Sequence, residues 1–581
     1  MAKGGSPHHS SRPHAEPRPP ILLCPLPARS DNMCGYVGDT VTYTTSCFLQ
    51  LIHCYSGEKD VLHFCLKMNR NIDELIASSL MKANIQSIRP TQKEVIEGYL
   101  KGKDVLFCSP NGSGESLTFE LSPHLYKAVE STSHATVIVV SPFVELRKEY
   151  VEKCSSLGLK AVCLNDVTEK GALANDGGLV SSIEKMTVAD IRDGEADVIF
   201  TTPESILGRH RNLVTELDKQ KHLKAVFIEE AQCISKFGVS SDKNGASFRP
   251  AYGQLGELRS LTAVPVIALT ATACAKTRTL IKEKLCIQKC DEVIVSPNAC
   301  NIKYWLCEAK RSIAEDFAWL ADLLLEQGQN TPRVAIFFRK IRQMGDLYGY
   351  LVYSLRDKAC VDFKPKGPND DRNRLFDMLH SKTDDEVKES ICSSFKDDQG
   401  FKRVVLVSSS FSTCLDVQGV GHVIHYGPAY DVEDYIQETG RAGRNQKTQV
   451  HAILMTYRKC LSQSNAVQSC MKQYCTGSSC RRVELLQHFE SSPSKVSPPH
   501  DCCDVCALEC KCQCHCEEIC TCGQTCDQNS SLVMDKIRSS QYCPSDSPSD
   551  PSSDEDRSSD SEVDENTRRK PIVLMYSSES E

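Results

Sequence analysis

At 581 residues the chain is long enough for roughly three to five domains. Hydrophobic residues make up 40% and charged residues 25%, a globular balance that excludes a wholly disordered or fibrous chain. The net charge of −8 excludes no class of partner, because residues 546–565 alone hold nine acidic residues and one Arg. The remainder is near neutral, so any basic track for nucleic acid must be local.

The opening, MAKGGSPHHSSRPHAEPRPP, is polar and rich in Pro and His, and does not read as a secretory leader. No apolar run reaches the roughly 18–20 residues of a membrane span, so no membrane partner is expected. Residues 1–69 read as largely disordered or unassigned, including the more apolar, Cys-bearing part at 36–68. From about residue 70, β-branched runs alternate with amphipathic helical stretches. The runs are DVLFCS (104–109), ATVIVVSP (135–142), DVIFTTP (197–203), KAVFIEE (224–230) and VPVIALTATA (264–273). Near-continuous apolar runs of this kind predict a parallel sheet covered on both faces. A second set follows: RVAIFFR (333–339), RVVLVSSS (403–410), GHVIHYG (421–427) and VHAILMTY (450–457). The fold class is therefore α/β, with two parallel-sheet lobes at 70–295 and 296–457 and a cleft between them. Beyond them the sequence predicts a small Cys-bearing helical module at 458–510, a Cys-rich segment at 511–527 and an acidic, disordered tail at 528–581.

Two strand ends carry chemistry. SPNGSGES (109–116) follows a strand and opens a helix, the setting in which backbone N–H groups cradle phosphates. About 110 residues on, Glu229 and Glu230 end the run KAVFIEE as paired carboxylates, suited to holding Mg²⁺ and activating water.

Together with these, IRPTQ (88–92), VVSPFVELRKEYVEKCSSLGLKAVCLN (139–165), FTTPES (200–205), EEAQCISKFG (229–238), FRPAYGQLGELR (248–259), ALTATA (268–273) and YIQETGRAGR (435–444) resemble the ordered motifs of RecQ-type, superfamily-two DNA helicases. The resemblance covers roughly 72–510 and implies two RecA-like lobes, 3′-to-5′ unwinding, ATP with Mg²⁺ and Zn²⁺ as cofactors, single- and double-stranded DNA as partners, and a nuclear location. By resemblance, Arg89 and Gln92 recognise adenine, while Gly112, Gly114 and Ser116 hold phosphates and Mg²⁺. Glu229 stands where the family has the Mg²⁺-side Asp, and Glu230 where it has the catalytic Glu. Gln437, Gly440, Arg441, Gly443 and Arg444 match the second-lobe motif, the two arginines reaching the γ-phosphate as fingers.

The sequence also departs from that family. Glu115 occupies the position of the phosphate-loop lysine and replaces attraction for phosphate with repulsion. Gln232 replaces the usual His, about seven residues are added between Phe237 and Phe248, and Ser412-Thr413-Cys414 replaces Gly-Met-Gly. These departures set a rival expectation, a DNA-binding or scaffold protein that kept the fold and lost the motor.

Of 32 cysteines, fourteen lie between Cys460 and Cys526, a clustering that reads as metal-binding in a chain without a secretory leader. Cys480, Cys503 and Cys506 form a zinc framework resembling the family's C-R-R … C-x-x-C-D-x-C module, with either His500 or Cys502 as fourth ligand.

Overall fold

The computed structural model describes residues 72–509 except 111, 143, 165–166, 169–170, 173–185, 240–246, 310–311, 362–372, 398, 410–418, 443–448 and 463–466, together with the strand residues 34–37 and 40–43 and residues 533, 534, 536 and 537. The added residues of the 237–248 loop, the segment Ser412-Thr413-Cys414, Gly443, Arg444 and the cysteines from 510 to 526 lie outside the described residues, as does most of the 1–69 region.

The chain divides into two bodies. In the smaller, formed by residues up to 87 and 121–135, Cys34–Val37 pairs antiparallel with Thr40–Tyr43, and helix Ile72–Lys82 packs on helix Ser122–Glu130. Helix Ile72–Lys82 buries Leu75, Ile76, Ser79 and Leu80 on one face, and Asp73, Glu74 and Lys82 complement its dipole. Both helices fall within the 70–295 range read from the sequence as the first lobe.

The larger body holds both lobes. In the first, seven parallel strands are β1 Val105–Cys108, β2 Thr136–Val140, β3 Ala161–Cys163, β4 Val198–Thr201, β5 Leu223–Ile228, β6 Val266–Thr270 and β7 Asp291–Ile294, in the order β7-β1-β6-β5-β2-β4-β3. Every residue of β1, β2, β4, β5 and β6 is buried, which is why these strands show no alternation in sequence. The helices that matter for the site are α1 Pro90–Leu100, α2 Leu117–Glu120, α3 Val144–Ser156, α4 Cys233–Lys236 and α5 Ala275–Lys284.

The second lobe has six parallel strands: β8 Ile302–Ala309, β9 Arg333–Phe338, β10 Phe376–Leu379, β11 Val404–Ser408, β12 Val420–Tyr426 and β13 Val450–Tyr457, ordered β8-β13-β12-β9-β11-β10. Its helices include α6 Ala318–Gln327 and α7 Val432–Thr439. After β13 come α8 Ser469–Thr476, α9 Arg481–Leu486 and α10 Asp504–Glu509, which close one face of the sheet's core. Fully buried Arg482 donates to Asn298 Oδ1 at 2.6 Å, to the Ala299 carbonyl at 3.0 Å and to the Ile302 carbonyl, and Leu306 N–H donates to Asp504 at 3.1 Å. The module is thus tied to the segment joining the lobes.

One expectation needs correction. Within the tail read as disordered from 528, Val533, Met534 and Ile537 are buried in the core of the second lobe, and Lys536 pairs with Glu326 on α6 at 2.9 Å. Their spacing puts all three on one side of a helical turn. Among the described residues no helix is long and apolar enough to cross a membrane.

Candidate functional site

The phosphate-loop segment leaves β1 at Ser109. Gly112 and Gly114 adopt φ of 80° and 79°, left-handed conformations that Gly takes without steric cost. A Cβ on Gly114 would lie 2.7 Å from Gln92 Nε2, so a larger residue would displace the Gln92 amide from the loop carbonyls. Gln92 donates to the carbonyls of Gly114 at 2.8 Å and Ser113 at 3.1 Å, and Arg89 donates to that of Gly112 at 3.2 Å. The two residues expected to meet adenine therefore also brace the loop.

Glu115 points into an acidic setting. Its Oε1 is buried and has no hydrogen-bond partner among the described residues. Burial first, then the charges of Glu230 and Glu229, push its carboxyl well above the usual range. Glu229 is 8% exposed and accepts a hydrogen bond from Tyr150. Burial raises its carboxyl to about 7, with bonds from Ser141 and Tyr150 acting against the rise and Glu230 adding to it. Glu230 sits at φ 49°, a left-handed conformation that costs a non-Gly residue on the order of 1 kcal/mol and marks strained functional positions. Gln232, the residue in place of His, donates to Glu230 and accepts from Thr270 Oγ at 2.6 Å. The predicted residues 112–116, 229 and 230 thus converge.

The second lobe reaches the same place. Gln437 on α7 donates to Glu230 at 3.5 Å, and Arg441 is buried just past Gly440. The Cys274 N–H donates to Glu433 at 2.6 Å, and Lys236 on α4 bonds Asp434 and lies 3.7 Å from Asp431. Beside these contacts opens a cleft of about 590 Å³, lined by Arg89, Pro110, Gly112 and Ser113, by residues 295–299, and by Ile436, Thr439, Gly440 and Ala442. It is large enough for a nucleotide-sized ligand.

The Sγ atoms of Cys480, Cys502, Cys503 and Cys506 lie within 4.8 Å of one another, and all four residues are buried. Hydrogen bonds from Cys480 and Cys503 hold the Cys502 thiol well below the ordinary range. Four thiols so gathered fit a tetrahedral zinc site. Cys502 completes the set; His500 is outside it, buried and 3.6 Å from Asp501. Sequence reasoning missed Tyr150, Lys236 and Arg482. All three lie in segments already singled out, Tyr150 in 139–165, Lys236 in 229–238 and Arg482 in the C-R-R motif, but the partners that give Lys236 and Arg482 their roles are distant in sequence.

The DEAD/DEAH box helicase family matches residues 89–280, and the helicase conserved C-terminal domain family matches residues 315–446. An "ATP-dependent DNA helicase Q-like 2" from Arabidopsis thaliana is 27% identical over 443 residues, covering 73% of this chain and 56% of the relative. An "ATP-dependent DNA helicase RecQ" from Pasteurella multocida is 26% identical over 445 residues, covering 72% and 60% respectively. The chain thus spans somewhat over half the length of these two relatives. Among solved structures, Mycobacterium smegmatis helicase Lhr bound to ssDNA and AMP-PNP aligns at 16% identity and a TM-score of 0.46, over 72% of this chain and 50% of that one.

Proposed function

This chain belongs to the RecQ-type superfamily-two helicases, and we propose from that premise that it is a nuclear, DNA-binding helicase core of 3′-to-5′ polarity, acting in repair or recombination, whose ATP step is strongly weakened by Glu115. The two lobes grip single-stranded DNA through its backbone, and their closure moves them along it or clamps them to it. Ser116 and Glu229 would hold Mg²⁺, which neutralises phosphate charge when bound. Glu230, fixed by Gln232 and Gln437, orients and deprotonates the attacking water. Arg441 and Arg444 meet the γ-phosphate from the second lobe. Cys480, Cys502, Cys503 and Cys506 would hold Zn²⁺, which contributes folding energy to the module rather than chemistry.

The observation that carries the reading is the convergence of Glu115 on Glu229 and Glu230, where the family presents a lysine. Protonated or ionised, Glu115 supplies none of the positive charge that a lysine gives the phosphates, and any negative charge left on this cluster opposes both binding and the charge that develops in transfer. The test is DNA-stimulated ATPase of the purified chain beside Glu115→Lys. Native turnover should fall well below the ~1–100 s⁻¹ of working enzymes, and the variant should exceed it by about tenfold or more. Native turnover within that range sinks the proposal.

A further inference from the structure

The loop has lost its own cation, yet an ammonium reaches it from another helix. Tyr150 and Lys153 are three residues apart on α3 and so share a face. Tyr150 bonds Glu229, while Lys153 Nζ lies 2.7 Å from Glu120 Oε1 and 3.2 Å from Ser116 Oγ. Glu120 ends α2 and its side chain is 1% exposed, so its carboxylate is tied to whatever cation it can reach. A lysine ammonium has three donors. One is given to Ser116 Oγ, the contact with Glu120 is an ion pair that holds the ammonium in place, and donors remain to face a ligand. The Lys153 side chain is 49% exposed, so the ammonium is open to solvent beside Ser116.

We propose that Lys153 is the phosphate-binding cation of this site, held by Glu120 over Ser116 in place of the lysine that Glu115 displaced. The ligand class is the terminal phosphates of a nucleoside triphosphate. The inference rests on the reading that the loop still receives a nucleotide, and it explains how binding persists beside three carboxylates. A surface lysine that merely neutralises Glu120 would have no reason to sit within hydrogen-bond distance of the phosphate-loop hydroxyl.

The experiment measures equilibrium binding of Mg²⁺–ATPγS to the full chain as native, Lys153→Gln and Lys153→Arg, each also in a Glu115→Lys background. Single-stranded oligonucleotide binding is measured on every variant as the control for folding. Lys153→Gln should weaken ATPγS binding about tenfold or more, and Lys153→Arg, which keeps the charge, should stay within about threefold of native. With Glu115→Lys present, Lys153→Gln should cost less than about threefold, because the loop again carries its own cation. Equal affinities of native and Lys153→Gln, the same cost in both backgrounds, or no binding by the native chain at millimolar nucleotide would each overturn the proposal. If Lys153→Gln loses oligonucleotide binding, the comparison of Lys153→Arg with native decides: a loss of ATPγS affinity beyond threefold in a folded Arg variant also overturns it. The failure of Glu115→Lys to raise turnover would instead overturn the reading of Glu115 and leave the Lys153 result standing.

Discussion

Replacing Lys236 by Met should open the lobes. The Lys236 ammonium, 16% exposed, bonds Asp434 and lies near Asp431, whose side chains are 27% and 8% exposed. Burial alone would lower the Lys236 ammonium, but Asp434, Asp431 and Glu433 outweigh it and hold it above its ordinary range. Removing one partner of a fully buried pair costs about 3–5 kcal/mol, because the other charge is stranded. Here Asp434 is partly hydrated and the lobes can part to admit water, so the cost should appear as about 1–3 kcal/mol of lost closure, a shift of roughly 5–150-fold in the closed-to-open ratio. Lys236→Met with Asp434→Asn should recover about 1 kcal/mol relative to the sum of the single variants. The pH dependence has a defined sign. Burial lifts the Asp431 carboxyl from its ordinary 3.8 to about 6 in the closed form. Its proton thus favours closure below 3.8, and that contribution is lost as pH rises through about 6, at about 1.4 kcal/mol per pH unit. Without the Lys236 charge the carboxyl rises further, so the loss extends to higher pH. Energy transfer between dyes on unnatural amino acids at the exposed positions Arg192 and Tyr353 reports the closed fraction. A Lys236→Met chain as closed as native at pH 8 would refute the reasoning.

Other outcomes follow from the same geometry. Freshly purified protein should contain zinc, and Cys480→Ser or Cys506→Ser should release it and destabilise the module docked on β8; metal analysis that finds no zinc in folded protein contradicts this. Truncation after residue 540 should tighten single-strand binding at low salt, since the polyanion at 546–565 competes for a local basic track, and the gain should shrink as salt screens it. Truncation at 528 should in addition lower the melting temperature, because it removes buried Val533, Met534 and Ile537. Equal melting temperatures for the two truncations would show that this turn contributes nothing.

Most of the fold was legible because parallel strands buried on both faces leave unbroken apolar runs, and nine of the thirteen strands of the two lobes were read this way; Asp291–Ile294 and Ile302–Ala309, partly exposed, carry no such run. Gly112 and Gly114 were legible for a related reason: their backbone angles leave few residue types to choose from. The fourth thiol was not, since His500 and Cys502 both lie within three residues of Cys503 and both are residue types that bind zinc. Only the short helical turn Pro499–Asp501 decides which side chain meets Cys480. The docked turn at 533–537 was hidden because the short stretch LVMDKI (532–537), set in a polar segment, is too brief to show a period.

Charge was the least legible property, since its effect depends on partners far away in the chain. Read in sequence, Glu115 is a single reversed charge and implies a dead phosphate site. In the folded protein it is one of several carboxylates, and the ammonium beside the loop comes from Lys153, 37 positions from Ser116. The lock between the lobes is more distant still, with Lys236 and Asp434 separated by 198 positions. A cation fixed by a buried carboxylate needs no particular neighbour in sequence, only a helix that delivers it to the right depth. The loss at 115 and the gain at 153 therefore act on one electrostatic quantity, the net charge felt by a phosphate at Ser116. Neither residue's effect can be assigned while the other is left unvaried.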